Sequence, residues 1–354
     1  MKKILLIDYY GMCDQNGQPV GHSPKVLTEY ASLIKNDFEV GAAVSPCLLR
    51  GIDEGLHDKH KLKYDISTVN EQSIGKRIAD KFRLFSNIIT VLKIDRYDIY
   101  WFYRTDFFLF FFIWLRGLNK RGKKFIAQVY QDSFGSGIIQ KILDRIYHRG
   151  MLKFDGIIYT QEDMAATHPN TLHIPDYYYD AGKYKKYEST EKEEKVVCLG
   201  TMNPYKKLDE LVDTFNRNGY PLEIRGYFFD KNFYGSLCNK INANIVIEDR
   251  ILSEEEYYKT LAGAKYTILP YDMEQYQSRT SGVLIESMFL NTIAIAPMQL
   301  LRANQIEGIG YETLAELADA GFFCKEYKPD NRAKMKEYDK EEVGRRLREF
   351  MANN

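Results

Sequence analysis

At 354 residues with 45% hydrophobic content, the chain is long for one domain and apolar enough for two sizeable cores. Lysine plus arginine equals aspartate plus glutamate, 49 each, so no net field draws it to nucleic acid. Five dispersed cysteines (Cys13, Cys47, Cys198, Cys238, Cys324) form no C-x-x-C pair. That argues against a disulfide scaffold or zinc site and for reduced thiols in the cytoplasm.

The apolar run after Met1-Lys2-Lys3 is too short for a signal peptide and is interrupted by Asp8. It reads as a first buried strand at 4–7, followed by a loop over 8–22. Ser23-Pro24 supplies an N-cap and a proline at the first helical position, predicting a helix to residue 34. Strands are expected at 38–44, 99–102, 125–129 and 156–159, with helices over 74–92 and 107–119. This alternation predicts a doubly wound α/β domain over 1–180. His173-Ile174-Pro175 ends the apolar pattern, and the charged stretch 184–195 reads as a linker.

A second α/β series then begins, predicting a second domain over 195–335. Its strands are expected at 196–200, 222–225, 245–247, 266–269 and 292–296, and its helices over 208–217, 254–261 and 282–290. Asp339-Lys340-Glu341-Glu342 has the form of a capping box before a last helix. That helix, within 336–354, is expected to pack back on the first domain. Ligands of such sheets bind at the strands' carboxyl ends.

The most informative stretch is Ser278-Arg279-Thr280-Ser281-Gly282-Val283, which follows a strand and opens a helix carrying Glu286. Free amides and the helix dipole at such a start form an anion site suited to phosphate. Glu286 stands where a carboxylate can bond sugar hydroxyls. Together they suggest a bound nucleotide sugar; taken singly, the turn is an ordinary N-cap and Glu286 a solvated helix residue.

The second half resembles GT-B-fold glycosyltransferases, closest to glycosyltransferase family 4, over about 196–297. The run Val197-Cys198-Leu199-Gly200-Thr201-Met202-Asn203-Pro204-Tyr205-Lys206-Lys207 is similar to that family's strand, loop and helix start. The resemblance implies that Lys206 binds the donor diphosphate and acts in catalysis. The family's arginine is replaced by Thr201 and its glycine by Lys207. Leu222 to Tyr227 resembles a strand ending in Val-Gly-x-Gly, placing Gly226 and Tyr227 at the donor. Val246 to Leu252 resembles the strand and loop that cradle the base, implicating Ile251 and Leu252. Glu286 matches the glutamate that binds the donor ribose, while Ser278 stands where the family has a second glutamate. Asn291 takes the place of a helix-ending glycine, which asparagine tolerates.

In the first half, Gly17, Gly21 and His22 occupy the region of the family's glycine turn near donor and acceptor. Asp132 follows a later strand, where it is a candidate base or hydroxyl binder, or simply a turn residue. The implied fold is two Rossmann-like domains facing a cleft.

The implied activity is sugar transfer from a UDP- or GDP-sugar to a glycan or polyprenyl-linked acceptor, in bacterial surface polysaccharide or glycoconjugate synthesis. The resemblance also implies retention of configuration; inversion would require Asp132 or His22 as base. No D-x-D motif occurs, so no metal or other cofactor is expected. A non-catalytic partner subunit and a nucleotide-sugar epimerase are the alternatives.

The apolar run Phe107 to Leu115 is too short to span a bilayer. With the basic residues up to Lys124 it is either a buried helix with a basic turn or a peripheral contact at the inner membrane face.

Overall fold

The structure, a computed structural model, describes residues 1–13, 23–52, 56–67, 74–130, 137–160, 168–203, 206–274, 276, 281–319 and 321–353. These divide into two compact units, one of 1–160, 168–175 and 341–353 and one of 176–340.

The first unit contains β1 (Lys3–Asp8), α1 (Ser23–Ile34), β2 (Glu39–Val44), β3 (Asp58–Lys61), α2 (Ile74–Lys93) and β4 (Ile99–Phe102). After these come α3 (Phe107–Arg116), β5 (Lys124–Val129), α4 (Ile138–Met151), β6 (Gly156–Tyr159) and β7 (Thr171–His173). All seven strands pair in parallel in the order β3-β2-β1-β4-β5-β6-β7. Ile4 to Asp8 are all fully buried, as a parallel strand covered on both faces requires. On one face Tyr100, Phe102, Phe125 and Ala127 pack with Leu84 of α2, Leu109 and Phe110 of α3, and Tyr147 of α4. On the other, Trp101 meets Tyr30 of α1, with ring centroids 5.2 Å apart.

Helix α3 stops at Arg116 rather than at 119. Gly117 takes φ 73° and its amide closes on the Ile113 carbonyl, a left-handed stop that only glycine adopts cheaply.

The second unit contains α5 (Ala181–Tyr184), β8 (Glu193–Leu199), α6 (Leu208–Asn218), β9 (Leu222–Gly226), α7 (Lys231–Cys238), β10 (Ile245–Asp249) and α8 (Glu254–Gly263). It continues with β11 (Ala264–Ile268), α9 (Gly282–Phe289), β12 (Ile293–Pro297), α10 (Met298–Asn304), β13 (Ile309–Tyr311) and α11 (Arg332–Glu337). Its six parallel strands run β10-β9-β8-β11-β12-β13. Asn291, just past α9, has φ 52°, the left-handed conformation that its amide side chain tolerates.

The last helix, α12 (Lys340–Asn353), belongs from Glu341 onward to the first unit. Arg348 donates to the Leu33 carbonyl at 2.8 Å, and Phe350 lies over Gly156.

The stretch 184–195 is not a linker. Tyr184 and Tyr187 are buried in the second unit's core beside Tyr258, and the charges at its end start a strand. There Lys195 pairs with Glu193 at 3.0 Å and Glu223 at 2.8 Å. The chain therefore passes from the first unit to the second at 175/176, directly after the buried Ile174 and Pro175.

In both sheets the strand order reverses at the first strand, between β1 and β4 and between β8 and β11. Such a switch point leaves a crevice at the carboxyl ends of the two strands, where ligands of open α/β sheets sit.

Candidate functional site

The second unit's switch point is occupied by Lys206. Its side chain is buried, with 6% of its surface exposed. The ammonium donates to the Leu199 carbonyl at the end of β8 at 2.8 Å and lies 3.8 Å from the Met202 sulfur. Backbone pairing with Tyr271, beyond β11, fixes its position, and Nζ is 5.9 Å from the Tyr271 ring centroid. No carboxylate among the described residues pairs with it. Burial consequently holds its pKa below the ordinary lysine value, with Cys198 acting in the opposite direction. A buried ammonium lacking a counter-charge is a cost that an anionic ligand removes.

Gly200 leaves β8 with φ 96°. A Cβ there would sit 3.9 Å from Val283 Cγ2 and 4.0 Å from Lys206 Nζ, so Gly200, Val283 and Lys206 converge. Gly226 ends β9 against the same turn: a Cβ would lie 1.7 Å from the Gly200 oxygen, which no side chain permits. The turns after β8 and β9 are further tied by Met202 N–H donating to the Tyr227 carbonyl at 2.8 Å. Thr201 is exposed at this turn.

Beyond Gly226, Tyr227 is 40% exposed and lies edge-on to Phe229, with the Lys231 ammonium 4.5 Å from its ring centroid. Ile251, after β10, is 79% exposed, while Leu252 is partly buried against the core. An exposed aromatic and an exposed aliphatic at adjacent strand ends form a surface suited to a flat ring.

Ser281 caps α9 by accepting from the Leu284 amide at 3.4 Å. The amides of Gly282 and Val283 have no partner among the described residues. Tyr177 lies against this helix start; a Cβ on Gly282 would be 2.8 Å from its ring and hydroxyl. Just over one turn in, Glu286 is buried, and three phenols donate to it: Tyr258 at 2.8 Å, Tyr257 at 2.8 Å and Tyr184 at 3.4 Å. Burial pushes the Tyr257 and Tyr258 pKa values well up, and the Glu286 charge adds to it. The carboxylate expected to meet ribose is thus already engaged at both oxygens.

The tyrosines around Glu286 were not among the residues singled out from sequence. Their only signal was abundance, 27 in the chain, and the pair Tyr257-Tyr258 on a capped helix. Gly17, Gly21, His22, Asp132, Ser278, Arg279 and Thr280 lie outside the described residues. A cavity of about 340 Å³ shares Tyr271 with the Lys206 site and is lined also by Lys207, Asp272, Glu274, Tyr311 and Glu312. Among the described residues no cluster of three His, Cys, Asp or Glu is placed to hold a metal ion. No helix there is long and apolar enough to cross a membrane.

The sequence matches no protein-family model and has no significant match among curated proteins. Solved structures do resemble it. The Anabaena protein HepE, in complex with UDP and glucose, superposes with TM-score 0.62 at 12% identity, covering 100% of both chains. A UDP-forming trehalose-phosphate synthase from Burkholderia xenovorans gives 0.61 at 9% identity, covering 99% of this chain and 100% of that one. A UDP-GlcNAc 2-epimerase from Methanocaldococcus jannaschii gives 0.56 at 10%, covering 100% of both. At these identities the likeness speaks for the fold, which is GT-B.

Proposed function

We propose that the chain is a glycosyltransferase that takes a sugar from a UDP- or GDP-linked donor and passes it to a glycan or polyprenyl-linked acceptor. The observation that carries this reading is Lys206, a buried ammonium with no carboxylate partner among the described residues, at the switch point of the second sheet, facing Gly200 and the start of α9. Departure of a nucleoside diphosphate is helped by cations and N–H donors placed where charge develops. Lys206 and the amides of Gly282 and Val283 are suited to that role, and Tyr227 and Ile251 to the base. Fold likeness to transferases that use nucleotide sugars supports the reading, as does the family 4 resemblance of 196–297. We extend the proposal to retention of configuration, metal-independent transfer and a place in surface polysaccharide or glycoconjugate synthesis.

Thermal shift with UDP-, GDP- and TDP-sugars tests it. A donor at 100 times its dissociation constant stabilises by about 2.7 kcal/mol. Lys206→Ala is expected to abolish the response, and a flat response of the wild type to every donor would sink the proposal.

The engagement of Glu286 by three phenols favours a second reading, a non-catalytic partner subunit of a glycosyltransferase. Calorimetry in which the wild type binds no nucleotide at all would select it. Epimerisation rests on fold likeness alone.

A further inference from the structure

We infer that the helical face of the first unit docks on an anionic lipid surface through α2 and α4. This goes beyond the transferase reading and does not depend on it.

Twelve large apolar side chains are exposed among the described residues, and five of them lie on the first halves of these two helices. They are Ile78 and Phe82 on α2, and Ile138, Ile139 and Ile142 on α4. Phe82 is 70% exposed and Ile138 81%. Ile78 and Phe82 are four residues apart, and Ile138 and Ile139 are four and three before Ile142, so each set forms a stripe. Helix α3 lies between them and packs on both. It buries Leu109, Phe110 and Ile113 in the core, and its Phe108 ring meets Phe85 of α2 at 6.2 Å. Of the apolar run of α3, three side chains are buried, five are half-buried and Leu115 is exposed, while its neighbours present stripes of exposed apolar side chains.

The charge beside these stripes selects the partner. Lys141, Arg145 and Arg149 are exposed at four-residue spacing along α4, and the Lys81 ammonium sits 3.8 Å from the Phe108 centroid. The acids on the same stretches are Asp80, which is buried and paired with Arg83 at 3.0 Å, and the half-buried Asp144. The basic turn after α3 is the poorer candidate: Lys120 pairs with Asp155 at 2.7 Å, and Lys123 with Asp95. Exposed aliphatic and aromatic groups flanked by cations suit the boundary of an anionic bilayer. The first halves of α2 and α4 also lie toward the carboxyl ends of the strands, the edge where such sheets bind ligands. A lipid-borne substrate would thus meet the protein at its ligand-binding edge.

The test is co-flotation of the full chain with vesicles of phosphatidylcholine alone and of phosphatidylcholine mixed with phosphatidylglycerol. The expected result is binding to the mixed vesicles that weakens with added salt. Substituting Ile78→Ser, Phe82→Ser and Ile142→Ser together is expected to weaken it at least tenfold. Lys141→Glu with Arg145→Glu should do the same without touching the apolar stripe. All five positions are solvent-facing or at the rim, so thermal unfolding should be unchanged and report that the fold survives. Absence of co-flotation at low salt would overturn the proposal, as would equal binding by both variants. If wild type floats with neither vesicle but self-associates, and the serine variant is monomeric, the face joins copies of this chain instead and the proposal fails.

Discussion

The Lys206 ammonium donates to the Leu199 carbonyl at 2.8 Å, inside a pocket that brings it no carboxylate among the described residues. A lysine held this way binds its proton more weakly folded than unfolded. The resulting cost is fully present below the folded pKa. It is relieved as pH rises from there toward 10.5, the ordinary lysine value. Lys206→Met removes the cost along with one hydrogen bond. Its expected effect on the free protein is neutral to stabilising, by up to about 2 kcal/mol. Stabilisation by UDP should vanish in the same variant. In the wild type, UDP affinity should be greatest where Lys206 is charged and fall as pH rises past its folded pKa. Calorimetric unfolding and titration across alkaline pH check this. A Met variant that is less stable yet still binds UDP would show Lys206 to be structural.

Gly226 and Gly200 make a contact that leaves no room for a methyl group. In Gly226→Ala the new carbon would start 1.7 Å from the Gly200 oxygen, and both partners are backbone, so the turn after β8 must move. Displacement of this kind typically costs about 1–3 kcal/mol. Because that turn leads to Lys206, nucleotide binding is expected to drop more than stability does. Denaturant unfolding and UDP titration of the same preparation separate the two effects. Equal losses in both, or binding intact despite lowered stability, would detach this turn from the site.

The elements that were legible in the sequence are those whose local chemistry is unambiguous. The helix opened by Ser23-Pro24 has the expected bounds, and the apolar runs of β1, β4 and β6 could only be buried strands. β3 was not legible because Asp58-Lys59-His60-Lys61 is an edge strand with no apolar period. α4 was missed for the opposite reason: Ile138, Ile139 and Ile142 face solvent, so its apolar residues do not report a core. At the site, Lys206 and Glu286 stood out from spacing and family resemblance. Their surroundings did not, because isolation and enclosure are properties of the folded chain. Tyr184, which reaches Glu286, lies 102 residues before it.

Glu286 with its three phenols gives a prediction of its own. Glu286→Gln replaces one acceptor oxygen by an NH2 group that faces phenol donors. At least one charge-assisted hydrogen bond is lost, a destabilisation of about 2 kcal/mol. The phenols add a pH signature. Their folded pKa values lie above the unfolded value of 10.0, so their contribution is intact below about pH 10 and is lost as pH climbs beyond it. Tyr257→Phe should shift this alkaline unfolding limb. Spectrophotometric titration of tyrosine with parallel thermal melts measures both, and a Gln variant as stable as wild type would remove Glu286 from the structural account.

Asp8 marks the corresponding crevice of the first sheet. It ends β1 at the switch point and is fully buried. Oδ1 accepts from the amides of Tyr10 and Gly11, each at 3.0 Å, while Oδ2 has no partner among the described residues. Gln128, on β5, repeats the pattern: its Nε2 donates to the hydroxyls of Tyr30 and Tyr130, and Oε1 has no partner among the described residues. Buried acceptors are rarely left unmatched, because each costs about 1–3 kcal/mol. Asp8→Asn keeps the oxygen that closes the Tyr10–Gly11 turn and turns the orphan into an uncharged donor. If Asp8 serves a ligand hydroxyl, the variant should melt no lower than wild type, or higher, while its turnover with acceptor falls and UDP binding stays unchanged. If Asp8 only shapes the turn, stability should fall and turnover per folded molecule should hold. Melting temperature and acceptor kinetics on one sample decide between them, since the two roles move these quantities in opposite directions.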